Sequence, residues 1–333
     1  MDKSLFVSKI RIGTRKSALA LAQTRQIEKS LRQHYPDIEI IINPYETSGD
    51  KLKDTSLSNL GGKGLFTKEI EEALLTNEID IAVHSMKDFP VNYPDTLKIA
   101  SVPLRESPFD VLLLSEQLLI KSQGVTSSSF YEILPMGAKV GTTSLRRSAQ
   151  LKIFRPDLQI VPLRGNITTR IEKLKKGLYD AIILAEAGLN RLDIVDILDR
   201  CPIPTDFMLP AIGQGALALE CRQDDVKMHN ILKSLNEENS HSAILAERAF
   251  LKELGGGCNF PVAAYACIQD GQLVLEGMIM NPSGSRSVRG TVRTPISFPE
   301  KSGKMLAHKL LDNKGQSIMD EIHDTLSQKG QTG

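Results

Sequence analysis

The chain opens on alternation. Ile10 and Ile12 stand at period two, Gly13-Thr14-Arg15 follows, and Leu21, Ile27 and Leu31 then recur at helical spacing. Ile38, Ile40 and Ile42 restore period two, residues 65–76 predict a helix, and Ile79–Val83 reads as a buried strand. Switching between these two periods is the βα rhythm of a sheet covered by helices.

The rhythm then starts again. Lys139-Val140-Gly141-Thr142 repeats the pattern of Arg11-Ile12-Gly13-Thr14: a strand, a glycine corner, then a helix rich in Ser, Arg and Ala. A strand over 158–163, a helix over 167–176 and a strand over Tyr179–Leu184 complete the second round. Two similar α/β lobes are therefore expected, divided around Ser101–Pro108. Ser101–Arg105 and Leu209–Gly215 are candidate crossings between them, an arrangement suited to a hinged cleft. Beyond about Ser234 the pattern changes. A helix over Ser240–Leu254 ends at Gly255-Gly256-Gly257, and strands follow around Val262–Ile268, Gln272–Met280 and Arg286–Thr294. A tail helix from Lys301 to Leu326 packs through Leu306, Leu310, Ile318 and Ile322. This last part reads as a compact third, α+β domain.

Composition narrows the function. A length of 333 residues corresponds to about two or three domains at ~150 residues each. The 41 basic and 40 acidic residues leave a formal charge of +1, which argues against a polycationic nucleic-acid coat. No apolar run approaches the ~20 residues that span a bilayer. The opening MDKSLFVSKIRIG lacks a secretory core, so the expected location is cytoplasmic, with an organelle open if a transit segment has been removed. Cys201, Cys221, Cys258 and Cys267 form no close pair and do not cluster with the six histidines, so no metal site is expected.

Charge is concentrated at element ends. Arg15 and Lys16 follow the first strand, and Arg146 and Arg147 occupy the matching place in the second lobe. Arg164, Arg170 and Arg191 lie after or within later elements. Helix starts with exposed amides, joined to planar guanidiniums, hold carboxylate or phosphate; the alternative is a solvated rim of ion pairs. Gly61-Gly62-Lys63-Gly64 could bring backbone amides and Lys63 to an anion, but it matches neither a P-loop nor a dinucleotide fingerprint. Strand Ile79–Val83 opens into His84-Ser85-Met86-Lys87-Asp88, where α/β folds place sites. Asp88 is a candidate proton carrier, and His84 is the alternative base or a satisfied structural histidine. Cys258 follows the three glycines, which can present a thiol on a movable loop; a merely buried cysteine is the plainer reading.

These pieces, in order, resemble the porphobilinogen deaminase (hydroxymethylbilane synthase) family from about Lys9 to His323. The stretches that carry the resemblance are IRIGTRKSALALAQ, GGKGLF, DIAVHSMKD, VGTTSLRRSAQL, PLRGN, DAIILAEAGLNRL, LPAIGQGALALECR and ERAFLKELGGGCNFPV. The resemblance implies two lobes like those of type II periplasmic binding proteins and a smaller C-terminal α+β domain. The divisions are 1–104 with 215–235, 105–214 and 236–333. It implies a transferase that polymerises four porphobilinogen molecules into hydroxymethylbilane with release of ammonia, on a dipyrromethane held covalently by Cys258.

By the same resemblance Asp88 is catalytic. Lys63, Ser85, Lys87, Thr142, Ser144, Arg146 and Arg147 hold the cofactor, while Arg15, Ser17, Phe66, Arg164, Arg170 and Arg191 hold substrate pyrroles. Asn59 departs from a commonly basic family position. The expected partners are porphobilinogen and, for the product, uroporphyrinogen-III synthase; the chain is expected to be a monomer that binds neither nucleic acid nor membrane.

Two other classes compete. A two-lobed anion-binding protein would use the arginines and glycine corners but would need neither Cys258 nor Asp88. A nucleic-acid binder would use Arg146, Arg147, Lys173, Lys175 and Lys176, residues scattered over several elements of a nearly neutral chain.

Overall fold

The computed structural model describes residues 7–51, 64–121, 133–194, 200–256 and 260–331. The first round comprises β1 (Lys9–Arg15), α1 (Ala18–His34), β2 (Glu39–Tyr45), α2 (Lys68–Leu75), β3 (Ile81–Ser85) and β4 (Leu97–Ser101). The second comprises β5 (Asp110–Leu114), β6 (Lys139–Gly141), α3 (Leu145–Phe154), β7 (Gln159–Val161), α4 (Ile167–Lys175), β8 (Ala181–Ala185), α5 (Glu186–Arg191) and β9 (Arg200–Pro202). Then come β10 (Leu217–Arg222), α6 (Val226–Lys233) and α7 (Glu238–Glu253), followed by β11 (Val262–Gln269), β12 (Gln272–Met280) and β13 (Ser287–Pro295), and finally α8 (Pro299–Leu310) and α9 (Gln316–Gln331).

Two five-stranded sheets share one plan. The first runs β2-β1-β3-β10-β4 and the second β7-β6-β8-β5-β9. In each, the first three strands are parallel, and the fourth is antiparallel to both its neighbours. That antiparallel strand is the one that enters from the other lobe: β5 leaves the first sheet's β4, and β10 returns after β9. The chain thus crosses twice between the sheets. β3 and β8 are buried except at their last residue and β5 completely so, which is why they read as mostly continuous apolar runs.

The glycine corners serve packing. A Cβ on Gly13 would lie 2.2 Å from Ile79 Cδ1, and one on Gly141 would lie 2.8 Å from Tyr179 Cδ1. Both β1 and β6 therefore pass closely under the side chains of the following units at these glycines.

The third unit is a β11-β12-β13 meander covered by α7, α8 and α9. Its core gathers Phe250, Leu273, Leu275, Leu306, Leu310, Ile318 and Ile322. Two apolar seams tie it to the lobes. Ala149 and Leu209 meet Ala263, Met278 and Met280 on one side, and Ile244 joins Met86, Phe89 and Ala218 on the other. The tail differs from expectation. Two helices replace one, because the chain breaks at Asn313–Lys314, where Lys314 takes φ +68°. Gly315 then passes so close that a Cβ would lie 2.3 Å from the Leu310 carbonyl oxygen. Among the described residues no helix is long and apolar enough to cross a membrane.

Candidate active site

β3 ends at Ser85, and the single turn Met86–Asp88 follows, placing the exposed Asp88 carboxylate in the lining of a cleft. Arg15, Ser17, Phe66, His84 and Ser85 line the same cleft. Arg15 comes from the end of β1; its guanidinium carbon lies 4.2 Å above the Phe66 ring centre and it pairs with Asp50. Burial opposes ionisation of Asp50, but donation from Arg15 and Thr47 holds its carboxyl below the usual range. Ser17 caps α1 by accepting from the Ala20 amide at 3.2 Å, leaving its hydroxyl proton to donate.

The second lobe repeats the device and adds a buried charge cluster. Ser144 caps α3 by accepting from the Arg147 amide, and Thr142 Oγ1 accepts from the Ser144 amide at 3.2 Å. Arg146 and Arg147 are only 5% and 6% exposed, and both grip the fully buried Asp110. Arg146 also donates to the Leu209 carbonyl, Arg147 to the Ile183 carbonyl, and Gln214 Nε2 adds a bond to Asp110. The two arginines are thus set by a carboxylate beneath them rather than standing free on a rim. Burial would raise the Asp110 pKa, but Arg146 and Arg147 drive it far below the ordinary carboxylate value.

Lys87 joins this cluster from the first lobe. Burial pushes its pKa down to about 8, with Asp88 opposing the shift and Arg147 adding to it. Arg170, on α4, donates Nε to the Gly165 carbonyl at 2.7 Å. Its pKa is lowered by burial and then by Arg147, with Asp88 opposing. Among the described residues, Lys87, Arg146, Arg147 and Arg170 therefore share one region with the carboxylates Asp88 and Asp110. Such an excess of buried cation is complemented by a polycarboxylate. A dipyrromethane, with its acetate and propionate arms, has that chemistry.

Other expected residues stand elsewhere. Arg191 bridges toward the crossing: Nη2 donates to the Gly215 carbonyl at 2.7 Å and Nε to Gln26 Oε1 at 3.4 Å. Burial lowers its pKa to about 10 against the pull of Glu106. Arg164 is exposed, and its carbonyl accepts from Lys173 Nζ. His84 is occupied: Nε2 meets Glu220 Oε2 at 3.1 Å in the interior, and its ring centre lies 5.0 Å from that of the tilted Phe89 ring. Asn59, Lys63 and Cys258 lie outside the described residues. Of the other cysteines, burial pushes the Cys221 thiol up to about 12 and raises Cys267 as well, which makes both poor nucleophiles. Sequence reasoning missed Asp50, Asp110 and Gln214. Each meets a charged partner 35 or more residues away, so no local spacing could flag that pairing.

Comparison with known proteins gives a family. The family model described as "Porphobilinogen deaminase, dipyromethane cofactor binding domain" matches residues 10–230, and the corresponding C-terminal domain matches residues 241–312. A porphobilinogen deaminase of Geobacter sulfurreducens is 45% identical over 317 residues, 95% of this chain and 96% of that protein. One from Syntrophus aciditrophicus is 44% identical over 315 residues, 95% of this chain and 99% of that protein. Among solved structures, a probable amino-acid ABC transporter extracellular-binding protein of Bacillus subtilis is 15% identical, with a TM-score of 0.41. It covers 69% of this chain and 91% of that one.

Proposed function

The chain belongs to the porphobilinogen deaminase family, and from that premise we propose how its residues divide the work. It is a transferase that joins four porphobilinogen molecules into hydroxymethylbilane with loss of ammonia, using a dipyrromethane cofactor. When bound, that group supplies the pyrrole carbon on which the growing chain is built.

We assign the attachment to Cys258, and the cofactor's carboxylates to Lys63, Lys87, Arg146 and Arg147, with Ser85, Thr142 and Ser144 donating hydrogen bonds. Support comes from the cation excess around Lys87 and from the hydroxyl protons left over after Ser144 and Thr142 accept from amides. Arg15, Ser17, Arg164, Arg170, Arg191 and Phe66 would orient the incoming porphobilinogen. Arg15, stacked on Phe66 and paired with Asp50, is the best supported of these.

Asp88 is the reacting carboxylate in this reading. It faces the cleft among cations, where an ionised oxygen stabilises positive charge as ammonia departs. The same oxygen then accepts the proton that the newly joined ring carbon must lose. The single observation that carries the assignment is the position of Asp88 at the end of β3, in the cleft and beside Lys87 and Arg170.

The three divisions given above suit the two sheets and the separate meander. A cytoplasmic monomer that passes its product to uroporphyrinogen-III synthase completes the proposal.

Asp88→Asn tests the central role. It should leave the fold and cofactor loading in place while turnover per loaded molecule drops on the order of 10²–10⁴-fold. Undiminished turnover would remove Asp88 from the mechanism.

A further inference from the structure

Arg248 belongs to α7, the helix of the third unit that runs out just ahead of Cys258 in sequence. Its guanidinium nevertheless reaches into the first lobe. Nη2 donates to the Pro90 carbonyl at 2.7 Å and to the Val91 carbonyl at 3.4 Å. Nη1 donates to the Phe89 carbonyl at 3.4 Å and lies 3.9 Å from Met86 Sδ. The same group sits 5.3 Å from the Phe89 ring centre and 6.0 Å from that of Tyr93. The residues it holds bracket Asp88 on both sides.

The rest of the turn is held from β10 and the second crossing. Met86 donates its amide to the Ala216 carbonyl at 3.0 Å, and Phe89 donates its amide to the Met86 carbonyl at 3.2 Å. Gly213 abuts Met86 so tightly that a Cβ there would lie 2.5 Å from Met86 Cγ. These contacts fix the start of the turn, while its exit depends on three successive carbonyls converging on one fork. Only a planar guanidinium presents donors in that geometry; an ammonium is a point charge that cannot span them. Backbone carbonyls left without such a donor would re-aim the segment.

We propose that Arg248 is a positioning residue for Asp88: it fixes the exit of the Met86–Asp88 turn and thereby the direction in which the carboxylate enters the cleft. It touches no reacting atom. The proposal rests on Asp88 being the group that acts.

The test compares Arg248→Met, Arg248→Lys, Asp88→Asn and a distant core variant, Leu306→Ala, all as cofactor-loaded protein with loading counted by intact mass. Leu306 is fully buried in the third unit, so its truncation lowers stability without touching the turn. Misplacing the carboxylate should lower kcat in Arg248→Met by about tenfold to a hundredfold with KM little changed. Arg248→Lys restores a cation under the rings but not the fork, so its kcat should fall by at least about threefold and lie between parent and Arg248→Met. Leu306→Ala should lower Tm while kcat per loaded molecule holds.

Parental kcat in Arg248→Lys, within about twofold, overturns the proposal even if Arg248→Met does not fold. A fall in kcat of the same size in Leu306→Ala overturns it too, since lost stability would then explain the effect. If Asp88→Asn is inactive while the Arg248 variants are normal, only the positioning role fails. If Asp88→Asn turns over normally, the assignment of Asp88 itself fails.

Discussion

Asp110 carries the charge that lets two consecutive arginines stand inside the protein. Its two oxygens receive Arg146 and Arg147 separately, at 2.7 Å each, with no part of Asp110 exposed. Removing one member of such a buried group leaves the others uncompensated, which costs far more than a surface pair. Asp110→Asn should lower unfolding free energy by about 3–5 kcal/mol in urea denaturation; a loss within the range of surface substitutions would contradict the cluster. Because the folded pKa of Asp110 is depressed, its contribution is complete above the ordinary carboxylate range. It is lost only as pH falls through the folded value.

Lys87 has the opposite sign. Its folded pKa of about 8 lies below the usual lysine value, so holding it charged costs stability below about 8, and that cost fades as pH rises toward the unfolded value. For ligand binding the useful form is the cation. Cofactor loading of the apo-protein should therefore weaken as pH passes through about 8, and Lys87→Arg should remove that alkaline limb. An identical limb in the variant would show that another group titrates. The pair Arg146-Arg147 was legible at the start of a helix, but Asp110 was not. It lies 36 residues away from Arg146 and looks like any first residue of a strand.

Between elements, the repeated strand–glycine–helix unit was the strongest signal, and it yielded two lobes of identical strand order. The sequence pattern left β4, β5, β9 and β10 unmarked, and of these β5 and β10 are nearly or wholly buried along their length. The continuous apolar run of β5 gives no period at all. Those two strands enter the sheets from the crossings, so the double crossing was visible only as a pair of glycine- and proline-bearing stretches.

Its construction is specific. Gly215 has φ +87°, and a Cβ there would lie 2.2 Å from the Glu106 carbonyl oxygen and 2.8 Å from that of Ser107, so one crossing lies directly on the other. Arg105 then donates to Glu247 and to the Gln214 carbonyl, while Glu247 accepts from the Gly213 amide. Gly215→Ala should lose about 1–3 kcal/mol from the backbone conformation alone, with the clash in addition. The measurement is the denaturation midpoint, and an unmoved midpoint would mean that the crossings do not press together.

For the whole molecule, a formal charge of +1 conceals segregation. Lys87, Arg146, Arg147 and Arg170 converge where the lobes meet, and acidic residues elsewhere balance them. α7 binds this arrangement together: Glu247 holds both crossings and Arg248 holds the turn that carries Asp88. The third unit is thus braced against both the crossings and the turn that carries Asp88.

The claim that this chain builds its product on a group anchored at Cys258 is tested most directly by intact mass after denaturation, followed by peptide mapping, on protein supplied with porphobilinogen. The account predicts a two-pyrrole addition on the peptide containing Cys258, with Cys201, Cys221 and Cys267 unmodified. Folded protein that shows no adduct and no turnover under those conditions, or an adduct on a different cysteine, would contradict it.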